Sequence, residues 1–249
     1  MKVLSFTNQK GGVGKSTTCY NVGAALGRRG YRVLLIDADP QGDVSTMAGY
    51  RELEKDDLQL YDVLHGKADI KEAIKTAEEL SIIPSDDYLT LAELDLVEEP
   101  RTALRKALRR VQADFDYCLI DCPPSLNVLT LNALTAADAV IITVKADYLP
   151  LKGVARLRDT IELVRKKLNK SLQIGGIVLT FYNDRANLDN EVKESLENAF
   201  GGQVFNTTIP QNKKLAEAPS HGESIFQYSP RSKGAACYMT LSEEITERI

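Results

Sequence analysis

Apolar residues fall along this chain in short unbroken runs, and between the runs they return at every third or fourth position. An unbroken run of this kind is a strand buried on both faces, whereas the spaced pattern is one side of a helix. The runs are Lys2–Thr7, 31–36, Leu80–Ile83, 116–120, 139–144, 174–179 and 204–208. Helices are expected from Gly14 through Leu26, around 61–65 and 70–76, over 101–112 behind Pro100, over 126–136, 151–169 and Asn187–Phe200, and from near Pro230 to the end. Strand and helix therefore alternate. The alternation predicts the α/β class, a mostly parallel twisted sheet of about seven or eight strands with helices on both faces. No repeat or low-complexity linker breaks the series, so residues 1–249 read as a single domain.

Three stretches need a closer reading. Residues 51–79 are charged and weakly periodic, and read as a surface excursion. In 101–112, Leu104, Ala107, Leu108 and Val111 share one helix face and Arg101, Arg105 and Arg109 the other, a stripe that suits solvent or, alternatively, a polyanion. The last helix places Tyr238, Leu241, Ile245 and Ile249 at helical spacing with Glu243, Glu244 and Glu247 outward. It is expected to dock on the core, because a membrane-surface helix would carry lysine or arginine in place of those glutamates.

Composition narrows this picture without redirecting it. With 43% hydrophobic and 27% charged residues the chain folds. A formal charge of −4 excludes a surface built throughout for nucleic acid, so any DNA contact must be a local patch. Met1 leads straight into the first strand and Asp138 interrupts the apolar residues of 136–144, so neither a signal peptide nor a membrane span is expected. Cys19, Cys118, Cys122 and Cys237 form no C-x-x-C, which excludes a zinc or disulfide framework and fits reduced thiols in the cytoplasm.

The candidate chemistry sits at strand ends. Between the first strand and helix, Gly11, Gly12 and Gly14 lack the Cβ atoms that would stop backbone N–H groups curling around an anion, and the helix points its positive end at the same place. Lys15 adds a cation for phosphate oxygens and Ser16 a hydroxyl for Mg²⁺. The ordinary P-loop, G-x-x-x-x-G-K-S/T, would need glycine where Gln9 stands; residues 10–16 fit instead the deviant Walker A form K-G-G-x-G-K-S/T. Asp121 ends a hydrophobic strand as a Walker B aspartate does, and Asp37 and Asp39 stand at the tip of another. Ligands of open α/β sheets bind at that edge, so the three motifs converge on one crevice. Asp39 could orient the attacking water or, alternatively, cap the helix after Pro40.

The strings NQKGGVGKSTT, VLLIDADPQGD, YCLIDCPPSL and IPQNKKLAEAPSHGESI resemble, in order and spacing, the ParA/Soj family of deviant Walker A partitioning ATPases, over residues 2–238. The resemblance implies ATP and Mg²⁺ as cofactors and a slow ATPase. It implies that Lys10 reaches the neighbour's nucleotide across a homodimer, that Gly11, Gly12, Val13, Gly14, Lys15, Ser16 and Thr17 hold phosphates, and that Ser16, Asp37 and Asp121 serve the metal. Asp39 becomes the hydrolytic carboxylate and 122–127 a γ-phosphate switch. Pro210, Gln211 and Asn212 would lie beside adenine. Arg185, Lys214, Arg231 and Lys233 fall where the family's ATP-bound dimer contacts DNA. The chain departs from the family at Gln211, Glu223 and Asp43, where Arg, Lys and Asn are common; the first two remove positive charge near the DNA face.

The implied function is an ATP-dependent dimer that binds DNA without regard to sequence, sits on the nucleoid, and is released when a ParB-like centromere-binding partner stimulates hydrolysis, with no membrane partner. A MinD-like division-site regulator and a positioner of a protein cargo are the alternatives. Lys15→Ala is expected to abolish Mg·ATP binding while the fold survives.

Overall fold

The computed structural model describes residues 1–54, 56–95, 101–146 and 150–249. Seven strands among them form one sheet in the order β3-β4-β2-β5-β1-β6-β7. They are β1 (Lys2–Thr7), β2 (Val33–Asp37), β3 (Lys75–Ala77), β4 (Leu80–Ile83), β5 (Tyr117–Asp121), β6 (Ala139–Lys145) and β7 (Gln173–Thr180). All neighbours are parallel except β3 on β4. The helices are α1 (Lys15–Arg28), α2 (Asp43–Met47), α3 (Leu60–Leu64), α4 (Thr90–Asp95), α5 (Ala103–Leu108), α6 (Val128–Ala136), α7 (Pro150–Lys167), α8 (Asn187–Phe200), α9 (Lys213–Glu217), α10 (Ile225–Tyr228) and α11 (Lys233–Arg248).

The unbroken apolar runs follow from burial on both faces. In β2, Leu34 and Ile36 enter one core and Leu35 the other; in β5, Cys118 and Ile120 oppose Leu119 in the same way. One core is closed by α3, α5, α6, α7 and α8, through residues such as Tyr61, Leu104, Leu134, Leu157 and Leu196. The other is closed by α1, α2, α10 and α11, through Cys19, Val44, Phe226, Tyr238, Leu241 and Ile245. The expected docking of the last helix is therefore observed, although it begins at Lys233. Glu244 accepts from the amides of Asn206 (2.8 Å) and Thr207 (3.0 Å), which ties the outer face of α11 down as well. No helix among the described residues is long and apolar enough to cross a membrane. All four cysteines are free thiols.

Four expectations are corrected. Residues 70–76 are not a helix: turns lead into β3, which pairs antiparallel with β4 across Glu78 and Glu79. Residues 51–79 are not a mere excursion, since Leu60, Tyr61, Val63, Leu64, Ile70 and Ala73 are all buried against the sheet. Residues 204–208 are not a strand; the segment touches β7 through the Ile177–Val204 bridge and reaches a second, Tyr182–Pro210, beyond its end. Its amides at Phe205 and Ile209 donate to Ile177 O and Leu179 O, each at 2.8 Å, while the residues between make no ladder. The helix expected over 101–112 covers only α5, and Pro100 lies outside the described residues. Within it Arg105 leaves the basic stripe: its Nε donates to Thr135 O (2.7 Å) and its Nη2 to Leu168 O (3.3 Å), satisfying carbonyls at the ends of α6 and α7.

Candidate nucleotide site

The C-terminal ends of β1, β2 and β5 lie side by side, with Phe6 paired to Asp121 and Asp121 to Asp37 in the parallel register. The P-loop leaves β1 and is braced from behind. Asn8 Nδ2 donates to Thr143 O (2.6 Å) while its Oδ1 accepts from the Lys10 amide (2.9 Å), and Thr180 Oγ1 lies 2.8 Å from Val13 O. Gly12 (φ 70°) and Gly14 (φ 74°) take the left-handed backbone that the loop needs. No side chain caps α1 and no acidic residue occupies its first turn, so the positive end of a 14-residue helix is left for an anion. Lys10 is exposed at the rim.

Lys15 occupies the centre. Its Nζ lies 2.9 Å from Asp121 Oδ1, 3.5 Å from Asp39 Oδ2 and 3.4 Å from Ser16 Oγ. Burial opposes the ammonium charge, but the two carboxylates outweigh burial and hold Lys15 protonated. Burial raises the Asp121 carboxyl, with the Lys15 charge working against that rise. Asp121 Oδ2 is buried and has no hydrogen-bond partner among the described residues. That orphaned oxygen, beside the Ser16 hydroxyl and in a site with more carboxylate than ammonium, is a fit for Mg²⁺. Among the described residues no three His, Cys, Asp or Glu side chains enclose a metal unaided, as suits an ion that takes most of its ligands from phosphate and water.

The two other acidic residues divide their duties. Asp37 Oδ2 accepts from both Ser45 N and Ser45 Oγ at 2.7 Å, and Oδ1 from Asp39 N at 3.2 Å, so this carboxylate is spent on the turn between β2 and α2. Burial first and the neighbouring Asp121 second push its pKa up. Asp37 thus shapes the loop beside Asp121, its neighbour in the strand register. Asp39 does not cap α2, whose N-cap is Gly42. Its Oδ1 accepts from the Gln41 amide (3.1 Å), Ser85 Oγ fixes its carbonyl (2.8 Å), and Oδ2 is left facing Lys15.

Two chambers meet over the P-loop. The polar one, about 350 Å³, holds Lys10 to Thr17 together with Asp39, Asp43 and Pro124. The apolar one, about 250 Å³, is walled by Ile209, Pro210, Gln211, Asn212 and Tyr238. Gly14, Thr17 and Phe181 line both. The residues expected beside adenine therefore form one pocket adjoining the phosphate nest. Asn212 also caps α9, accepting from Lys214 N at 2.8 Å. Sequence reasoning missed Asn8, Thr180, Phe181 and Tyr238; the position of Thr180 and Phe181 at the tip of a strand was the only signal for them.

A family model described as "AAA domain" matches residues 1–174. The sporulation initiation inhibitor protein Soj of Bacillus subtilis is 46% identical over 98% of this chain and 98% of its own, and the chromosome partitioning protein ParA of Caulobacter vibrioides is 44% identical over 100% and 95%. The chain belongs to the ParA/Soj family of partitioning ATPases. A Mycobacterium smegmatis structure described as cobyrinic acid a,c-diamide synthase with bound ADP and magnesium superposes with a TM-score of 0.86, at 34% identity over 98% of this chain and 93% of that one.

The four residues that the ParA/Soj resemblance assigns to DNA lie on connected elements. Arg185 follows β7 in a loop that the Tyr182–Pro210 bridge holds beside the segment leading into α9, which carries Lys214. Arg231 and Lys233 stand at the start of α11, where Gly234 lies close against Leu215 and Asn212. All four are exposed. Lys214 is already engaged, pairing with Glu217 at 2.9 Å and lying 5.4 Å from the Tyr228 ring centre. In the expected switch, Asn127 caps α6 through the amides of Leu129 and Thr130 (both 3.1 Å), and Leu126 is exposed.

Proposed function

We propose that this protein is a partitioning switch: with Mg·ATP it closes into a homodimer, the dimer binds DNA without regard to sequence, and a ParB-like centromere-binding partner stimulates hydrolysis and release. The observation that carries the reading is the Lys15 ammonium suspended between Asp121 and Asp39 under the uncapped start of α1. Phosphate binding would draw Lys15 from the carboxylates to the β/γ oxygens, a charge-assisted contact. Asp39 Oδ2 then loses its cation and becomes an acceptor able to orient a water, while its other oxygen and its carbonyl remain fixed by the turn. Bound at Ser16 and Asp121, Mg²⁺ would neutralise phosphate charge. Lys10, at the rim, would reach the nucleotide of a second copy.

Positive charge at Arg185, Arg231 and Lys233 supports the DNA contact; Lys214 would first leave Glu217. Gln211 and Glu223, which carry no positive charge in the same region, favour as a second reading an ATPase that positions a protein cargo. Asp39→Ala should bind ATP, dimerise and hydrolyse it far more slowly than the parent. In a titration of this variant with duplex DNA, binding should require ATP and fade with salt, at about −0.9 in the log–log slope for each phosphate neutralised. Arg185→Ala and Lys214→Ala should flatten that slope. If both retain the parental slope the DNA face lies elsewhere, and if the Asp39→Ala protein shows no ATP-dependent binding the cargo reading replaces this one.

A further inference from the structure

Away from the nucleotide site, α5 and the chain leaving α3 wall a groove of about 520 Å³, larger than either chamber over the P-loop and sharing no lining residue with them. The spacing in α5 explains its shape. Leu104 and Leu108 turn into the core, so Ala103, Lys106 and Ala107 share another face, continued by Arg110, whose amide donates to Ala107 O at 3.0 Å. With nothing beyond Cβ, Ala103 and Ala107 leave a trough one helical turn long. Val63, Leu64 and Ile70 line the other side, where Gly66 (φ 65°) ends α3 and turns the chain back toward the sheet.

The rim of this groove is basic. Lys106 and Arg110 stand on one side and Lys67 on the other, all three exposed. Asp69 is the one carboxylate that lines it among the described residues, and both its oxygens are engaged: Oδ2 pairs with Arg110, and Oδ1 accepts from the Lys71 amide at 3.0 Å. Lys67 meets no carboxylate; its Nζ stands 4.5 Å from the Tyr61 ring centre and 3.4 Å from the Tyr61 hydroxyl. Lys106 makes no ion pair among the described residues. On a chain with a formal charge of −4, two lysines without counter-ions over an apolar trough reverse the charge locally. Water would satisfy the lysines but gains nothing from Ala103 and Ala107 beneath them. The phosphates of a duplex would match the rim and leave the trough unfilled. Apolar side chains flanked by carboxylates match both.

We propose that this groove is the docking site for an acidic amphipathic segment of a partner protein, whose apolar side chains lie along Ala103 and Ala107 and whose carboxylates meet Lys67 and Lys106. The inference does not rest on the nucleotide reading. Because the groove and the two chambers share no residue, partner and nucleotide occupy the protein together.

The test is fluorescence anisotropy of a labelled synthetic peptide, a short helix with leucines on one face and glutamates beside them, titrated with the full chain with and without Mg·ATP. The parent should bind it equally in both conditions and more weakly as salt rises. Versions of the peptide with lysine for glutamate, or with serine for leucine, should bind more weakly still. Lys67→Glu/Lys106→Glu should weaken binding of the first peptide by about tenfold, the scale of turning two exposed attractions into repulsions. Lys166→Glu/Lys167→Glu, the same charge change at the exposed end of α7, should not. If the first double variant does not fold, Lys106→Glu alone decides, compared with Lys167→Glu. No binding by the parent, no loss in the groove variant, an equal loss in the α7 variant, or equal affinity for the serine peptide would each overturn the proposal. So would two further results: a loss confined to labelled duplex DNA, which would make the groove a nucleic-acid surface, or nucleotide-free self-association that vanishes with the two lysines, which would give it to a second copy of this chain.

Discussion

Lys15 is held by Asp121 and Asp39, the two carboxylates to which the proposed function gives the metal and the water, and this changes what its removal does. The expectation that Lys15→Ala would spare the fold treated the lysine as a ligand contact alone. In the structure it is the counter-charge for Asp121, whose Oδ1 lies 2.9 Å away and whose other oxygen has no partner among the described residues. Breaking a buried pair by removing one member costs about 3–5 kcal/mol, less whatever Asp121 recovers by taking a proton. Lys15→Ala should therefore lose Mg·ATP binding and also unfold at a lower urea concentration than the parent, whereas Lys15→Ala/Asp121→Asn should regain part of the lost stability. A single variant as stable as the parent would show that the pair is not stabilising. The nest and Asp121 were legible because glycine, lysine and aspartate at strand ends each have a stated chemistry. The hydrogen bonds of Asp37 were not, because they go to Ser45, which sequence shows only as a residue in the following helix.

At the level of elements, what was legible was what repeats. The strand runs and the long helices were found because burial on two faces or on one stripe imposes a period. The β3–β4 hairpin was missed because its two-residue turn is Glu78-Glu79, with Glu78 at φ 50°, where glycine or asparagine is the recognised signal. The start of the β2–β5 pair shows a contact that pattern reading also passes over. Asp116 accepts from Arg32 N (2.9 Å), Nε (3.2 Å) and Nη2 (2.8 Å), directly before Val33 pairs with Tyr117. Hydrogen bonding from the Arg32 guanidinium holds the Asp116 carboxyl down at about 2. A carboxyl that is lower in the folded than in the unfolded chain, where it lies at about 3.9, stabilises fully above the unfolded value and loses that contribution as pH falls through the folded one. Asp116→Asn should thus lower Tm at pH 7, with the gap to the parent closing between about pH 4 and pH 2. A gap that stays constant over that window would assign the effect to geometry and not to charge.

For the whole molecule, one sheet sets nearly every relation that matters. The parallel strands bring three separate sequence motifs to one edge, the two cores hold that edge rigid, and the connected elements after β7 bring Arg185, Lys214, Arg231 and Lys233 to one region. The segment from Val204 to Pro210 joins the sheet by fewer bonds than a strand would. It is held to β7 by the amides of Phe205 and Ile209 and by Tyr182 N donating to Ile209 O at 3.0 Å, and to α11 by Glu244 at the amides of Asn206 and Thr207. Because Pro210 is one wall of the apolar chamber, peeling this segment away would open the pocket while the sheet stayed folded. The amide protons of Ile209 and Tyr182 should accordingly exchange with solvent through a local opening that a nucleotide must suppress, since the opened form has lost a wall. At a ligand concentration of about 100 times Kd, exchange at these two amides should slow by about a hundredfold. The amides of β1 and β5, in the interior of the sheet, should exchange only when the whole sheet opens, so slowing there should track the gain in global stability and appear as a rise in Tm. On that expectation, substitutions at Val204 to Thr208 that tether or loosen this segment should tune occupancy of the site from outside the pocket lining.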